Sequence, residues 1–306
     1  MRIGISLDIT QGTRPEAKPL SWESVRAQAV TAEQVGFDVV AVPDGFLLRF
    51  DDRSFGLYES VAVAAAVLEA TSTIRVAHDM MNTPYRAPAL IASSAKTLHD
   101  IGDGRYWLGL GAGNTPDSDY RAAGVPADHR YSRFAETVEI VHGLLSGEVV
   151  DFDGEYHRVQ DSELVLPESG RPPITVGAFK PKTMRLAARF ADHWGGYVVG
   201  GPYTVDSYRP MLEELELACE EVGRDPDTLG RSVDVPVDPH GRFAELRPDA
   251  EHLPITGTSE QIAEAILAFE ELGLEELRCE TVGLLNDGAA TVESMAKVVE
   301  LVHAGS

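Results

Sequence analysis

Three short stretches of this chain carry residues that could do chemistry. "HDMM" sets His78 and Asp79 side by side, followed by Met80. An imidazole gives or takes a proton near neutrality, and a carboxyl group does so when its surroundings raise its pKa. Neighbours on an extended chain point to opposite faces, so only one of the two can face a given ligand. "GLGAGN", residues 109–114, has glycine at alternate positions through Gly111 and Gly113, with Ala112 between them and Asn114 closing the run. On a strand those glycines share a face and leave a wall bare of side chains, against which a flat ring could lie. Turn and barrel-packing chemistry is the other use of such glycines. "GAFKPKT" spans Gly177, Ala178, Phe179, Lys180, Pro181, Lys182 and Thr183. A strand that ends in small residues and passes into a helix presents free N–H groups and a positive dipole end, which suits an anion. Pro181 fits the first helical turn, and the two lysines add local positive charge. A solvated loop whose lysines offset nearby acids is the plainer alternative.

Other chemistries find little support. No Gly-x-Ser-x-Gly elbow is present, and no His/Asp/Glu spacing suggests a metal site. The two cysteines, Cys219 and Cys279, fall in different predicted elements and match no ligand spacing. Isolated thiols point to a reducing compartment. The chain begins in a strand pattern with no charged-then-apolar leader, and no apolar run approaches the roughly 20 residues of a spanning helix. A cytoplasmic protein is therefore expected. The formal charge of −23 over 306 residues repels a phosphate backbone or an anionic membrane surface, so neither nucleic acid nor membrane is an expected partner.

These stretches must be positioned by the elements around them. Short apolar runs alternate with longer segments of helical period. Strands are expected over 2–9, 38–44, 73–80, 105–113, 172–178, 193–200, 230–237 and 276–283. Helices are expected between them, with Ser21 capping the first and Thr258-x-x-Gln261 forming a capping box for the seventh. A small hairpin is expected around Asp153-Gly154. Eight β-then-α units in one chain without a linker predict a single (β/α)8 TIM barrel over 1–306, with insertions at its C-terminal face. A doubly wound sheet is the rival, but the first β-to-α loop lacks the Gly-x-Gly-x-x-Gly fingerprint. In a barrel the strand ends carry function, which brings the three stretches to one mouth.

"TSTIRVAHDMMNTPYRAPALIASSAKTLHDIGDGRYWLGLGAGN" resembles the middle of the luciferase-like monooxygenase superfamily. "RFAETVEIVHGLLSGEVVDFDGEYHRV", "PPITVGAFKPKTMRLAARFADHWGG" and "ITGTSEQIAEAILAFEELGLEEL" are similar to later blocks of that family, in order. The resemblance implies a barrel that binds coenzyme F420, a deazaflavin, or reduced FMN. The ring would lie across the mouth, and the phosphate at the Gly177–Thr183 turn. It implies a non-proline cis peptide between Asp79 and Met80, a cofactor contact from Asp44, and a homodimer. "DGEYHRV" and "GLGAG" look more like the deazaflavin branch, whose chemistry is hydride transfer to or from a small organic substrate. Where some members have a histidine after the strand-2 aspartate, this chain has Gly45. A tryptophan common a few residues on is absent, and Asn114 replaces a frequent glutamate. The acid or base would then come from His78 or Asp79. An FMN-dependent monooxygenase and a cofactor-binding paralogue without catalysis are the other readings.

Overall fold

The computed structural model describes residues 1–11, 20–50, 53–113, 116–246, 250–281 and 288–305. Eight strands form the frame: β1 Arg2–Ser6, β2 Val39–Val42, β3 Arg75–His78, β4 Tyr106–Gly111, β5 Ile174–Gly177, β6 His193–Tyr197, β7 Gly230–Asp238 and β8 Glu276–Thr281. Each pairs in parallel with its sequence neighbours. β8 returns to β1, and β4 pairs with β5, so the sheet closes. This is the (β/α)8 barrel expected from the alternation. The strands are largely buried on both faces because helices cover the outside and side-chain layers fill the inside. The four residues of β2, for instance, are all buried.

The covering helices are α1 Trp22–Val35, α2 Ser60–Ala70, α3 Pro88–Ile101, α4 Arg130–Leu145, α5 Pro181–Phe190, α6 Val205–Val222, α7 Ser259–Leu267 and α8 Ala296–Gly305. Local chemistry sets their limits. Ser21 Oγ accepts from the Ser24 N–H to start α1, and Gly36 ends it at φ +95°, a conformation that favours glycine. Thr258 and Gln261 form the expected reciprocal cap of α7. The Asp153-Gly154 hairpin is present as Val150–Asp153 against Arg158–Ser162.

Some boundaries differ from the sequence expectation. β6 stops at Tyr197, because Gly200 and Gly201 adopt φ of +80° and +70° and turn the chain away. Between β2 and α2 the chain forms antiparallel strands Leu47–Phe50 and Arg53–Leu57, with Thr10–Gln11 paired alongside. The last helix is broken into Gly288–Ser294 and α8. Within the polar stretch 114–131 lies a short helix, Asp117–Ala122. Among the connections that follow strands, those after β1, β2, β4 and β7 are long and enter the C-terminal face; the longest connection, 146–173, follows α4 and carries the hairpin.

Candidate active site

Met80 sits at the centre of the mouth because four glycines make room for it. A Cβ on Gly109, Gly111, Gly177 or Gly195 would lie 2.6, 3.1, 3.0 or 2.4 Å from the Met80 side chain. These glycines come from β4, β5 and β6, so three strand ends converge on one thioether. The bare wall expected at "GLGAG" is therefore filled by Met80, and a ring in the mouth would meet this side chain before it met the glycines. The Asp79–Met80 peptide is cis, as the resemblance implied. Met81 and Asn82 then pair with Leu110 and Gly111, and Thr83 Oγ1 donates to the Gly111 carbonyl. Gly113 has φ +82°, and a Cβ there would lie 2.1 Å from the Tyr120 hydroxyl. Both its conformation and its packing require glycine. Ala112 stands between them, partly buried. Asn114 lies outside the described residues.

His78 and Asp79 part to opposite sides, as strand alternation dictates. His78 is fully buried, with Nδ1 2.6 Å from the Tyr106 hydroxyl. Burial, partly offset by the charge of Asp44, pulls its pKa down to about 4. A neutral ring without exposed surface packs the barrel wall, so the expectation that His78 meets substrate is withdrawn. Asp79 points into the barrel, where Oδ1 lies 3.3 Å from Arg278 Nη2.

Asp44 also departs from its expected place on the cofactor. Its carboxylate accepts from the Asn82 N–H at 2.7 Å, Ser60 Oγ at 2.7 Å, and Arg86 at 2.6 and 3.1 Å. Its side chain is 2% exposed. A carboxylate offers about four acceptor positions, and here they are taken. Burial works to raise its pKa, but the Arg86 hydrogen bonds and charge outweigh that and hold the carboxyl below its ordinary value. Asp44 is a clamp between the ends of β2 and β3.

At the β5–α5 turn, Ala178 is tied to β6: its N–H donates to the Gly195 carbonyl, and its own carbonyl accepts from Trp194 Nε1. Phe179 is exposed. Lys180 precedes the first turn of α5, where Thr183 Oγ1 donates to the Lys180 carbonyl at 2.9 Å. Lys182 and Thr183 occupy helix positions whose N–H groups have no intrahelical acceptor. Both lysines are exposed, and Lys182 Nζ lies 5.5 Å from the centre of the Tyr131 ring. The anion-ready geometry expected of "GAFKPKT" is thus present in the backbone.

The largest feature missed by sequence reading is a charged column inside the barrel. Arg278 is 2% exposed. Its Nε lies 2.7 Å from Asp234 Oδ1 on β7, and its Nη2 lies 3.3 Å from Ser232 Oγ. Glu276 lies below, shared with Arg2 at 3.4 Å and Arg75 at 3.1 Å. Glu280 lies above, at the end of β8. Burial and the charge of Asp79 raise Asp234 well above its ordinary value, against the pull of Arg278. Glu280 retains solvent-accessible surface, yet protein crowds it within the mouth. That burial, aided by Asp79 and opposed by a Tyr197 hydrogen bond, raises its carboxyl to about 7. A signal was available: "ELRCET" alternates Glu276, Arg278 and Glu280 with apolar or small residues, and "SVDVPV" carries Asp234 within an apolar run. A charge in the middle of a doubly covered strand must find a partner. Among the described residues no cluster of His, Cys, Asp and Glu could hold a metal ion.

Comparison with known proteins agrees with this geometry. The sequence pattern of the luciferase-like monooxygenase family matches residues 1–253. An F420-dependent glucose-6-phosphate dehydrogenase of Tsukamurella paurometabola is 29% identical over 242 residues, covering 76% of this chain and 70% of its own. The solved structure of an F420-dependent secondary alcohol dehydrogenase with an F420-acetone adduct superposes with a TM-score of 0.80, at 21% identity and over 98% of both chains. The oxygenating constituent of 3,6-diketocamphane monooxygenase of Pseudomonas putida, solved with FMN, gives 0.72 at 19% identity, over 99% of this chain and 98% of its own. At such identities the two superpositions show the shared barrel. The family match extends over most of the chain, and the protein belongs to the luciferase-like monooxygenase family as one of its (β/α)8-barrel oxidoreductases.

Proposed function

We propose that the protein transfers a hydride between coenzyme F420 and a small organic substrate at the C-terminal mouth of the barrel. The observation that carries this reading is the likeness to an F420-dependent relative over three quarters of the chain. The residues of the mouth fit such a coenzyme. The start of α5 offers the Lys182 and Thr183 N–H groups and two exposed lysines to an anionic phosphate or acidic tail. Met80 supplies a polarisable floor for a flat ring. When bound, the deazaflavin gives or takes the hydride; the protein orients the substrate, limits water and handles protons. Asp234 and Glu280, with raised carboxyls, are the groups here that can hold a proton, and Arg278 pairs with Asp79 and Asp234 behind them.

The test is a binding titration with F420 and with FMN, each oxidised and reduced, read by cofactor fluorescence or calorimetry. Selective F420 binding is the expected result. Selective binding of reduced FMN, with oxygen consumed on turnover, would replace this reading with a monooxygenase. Tight F420 binding without turnover on any substrate panel would favour the non-catalytic alternative.

A further inference from the structure

The interior column holds more negative charge than its cation can balance. Glu276 is served from below by Arg2 and Arg75. Above it, Asp79 and Asp234 share the guanidinium of Arg278, which also lies 3.9 Å from Glu276, while Glu280 faces Asp79 and the Tyr197 hydroxyl. Strand register places Asp234 beside Arg278 and Pro236 beside Glu280, so Glu280 stands one inward layer nearer the opening. Asp79 reaches the same guanidinium from the end of β3, across the barrel. Around Glu280 the charged and titratable groups are Asp79 after β3, Tyr197 on β6, Tyr208 on α6, Asp234 on β7 and Arg278 on its own strand.

The column also adjoins the Met80 chamber. A Cβ built on Gly195 would be 2.4 Å from Met80 Cε and 3.6 Å from Arg278 Nη2. Thioether floor and guanidinium therefore meet at one glycine. Burial and the negative charge of Asp79 raise the carboxyls of both Asp234 and Glu280, so these two hold their protons more tightly than ordinary carboxyl groups do. Asp234 is the inner member. Glu280 alone among them keeps substantial accessible surface, so it is the one able to pass a proton to a molecule in the mouth.

We infer that Glu280 is the acid–base group of the reaction, exchanging a proton with the hydroxyl or carbonyl oxygen of an alcohol or carbonyl substrate, while Arg278 holds Asp79 and Asp234 in place behind it. The inference rests on the F420 reading above. In the oxidative direction the substrate loses its carbinol hydride to the deazaflavin and its hydroxyl proton to the Glu280 carboxylate. One C–H and one O–H bond break, a C=O bond forms, and two electrons leave with the hydride. The reductive direction reverses each transfer.

Two measurements on the intact protein test this without a known substrate. The first is the carboxyl titration of the coenzyme-free protein, followed by carbon-13 NMR of labelled glutamate. A glutamate midpoint near 7 is expected, lost in Glu280→Gln and lowered in Asp79→Asn, with Glu280→Asp as a folded control that retains a carboxyl. The second is labelling of Glu280 by a water-soluble carbodiimide, with and without saturating F420. Protection by the coenzyme, and a moved midpoint in the complex, support the inference. A midpoint in the ordinary glutamate range, or a midpoint and labelling indifferent to bound F420, overturn it while leaving the F420 reading intact. Failure of the wild-type protein to bind F420 removes both.

Discussion

Met80 owes its position to side chains that are missing around it. Gly195→Ala would bring a methyl group 2.4 Å from Met80 Cε, and Gly177→Ala 3.0 Å from its Cγ. For Gly195 the end of the Met80 side chain must shift, and for Gly177 its stem must give by a few tenths of an ångström. Gly195→Ala is expected to cost about 1–3 kcal/mol of stability and to weaken coenzyme binding. The double variant with Met80→Ala should recover much of the stability, because the clashing atoms are gone. Denaturant unfolding of the two single variants and the double one checks this; additive losses would mean that Met80 is not what fills the space. Gly109→Ala is different. Its Cβ would fall 2.0 Å from the His78 carbonyl oxygen, and backbone in a closed barrel cannot yield as a methionine can.

At the scale of elements, two junctions do separate work. Arg86 joins the end of β2 to the start of α2 by pairing with Asp44 and, at 2.6 Å, with Glu59. Arg86→Ala would leave Asp44 charged, buried and without its cation. Loss of one partner of a buried pair costs about 3–5 kcal/mol, so urea unfolding of this variant should show a drop of that order. A change below about 1 kcal/mol, the usual limit for exposed pairs, would mean that the clamp is dispensable. At the other junction, Lys180 stands exposed at the start of α5. Charge at a helix terminus contributes about 0.3–1 kcal/mol and is screened by salt. Lys180→Ala should therefore raise the F420 dissociation constant by a small factor at low salt and flatten its salt dependence. Unchanged affinity at low salt removes Lys180 from the site.

Over the whole molecule, carboxyl groups shifted in opposite directions give stability an unusual pH dependence. Asp44 and Asp192 have lowered pKa values in the fold; for Asp192, which precedes β6, burial works upward but the Arg171 pair at 2.6 Å and the Ile174 N–H outweigh it. Their contribution is present above the unfolded carboxylate range and is lost as pH falls through the folded values. Glu280 acts with the opposite sign. Its carboxyl is raised from 4.5 to about 7, so the folded state binds the proton more tightly than the unfolded chain. That stabilisation is complete below about 4.5 and is lost as pH rises through about 7. Asp234, also raised, adds to the same trend. The melting temperature is expected to decline between these two pH values, and Glu280→Gln should flatten the decline. A wild-type curve that rises over this interval would contradict the shift. The acidic surface, with a net charge of −23, adds self-repulsion that also grows with pH; Glu280→Gln separates the local effect from the global one.

The sequence by itself determined the barrel. The alternation of buried strands and capped helices is local chemistry, and Ser21, Gly36 and the Thr258–Gln261 box act within a few residues of where they stand. It also located the mouth and the helix start at Lys180, since strand ends and helix caps are read along the chain. Only the tertiary structure decided which side chains share that mouth. His78 and Asp44 read as candidate site groups, but Tyr106 and the start of α2 enclose one and Arg86, Ser60 and Asn82 saturate the other. The pair Gly109 and Gly111, Gly177 and Gly195 come from three separate strands, and their common purpose is visible only once closure brings them around Met80. Arg278, Asp234 and Glu280 are joined to Asp79 across more than 150 residues by the closure of β8 onto β1 and β7. The burial and charge crowding that raise Glu280 arise from that closure, because a pKa reflects neighbours in space and not in sequence.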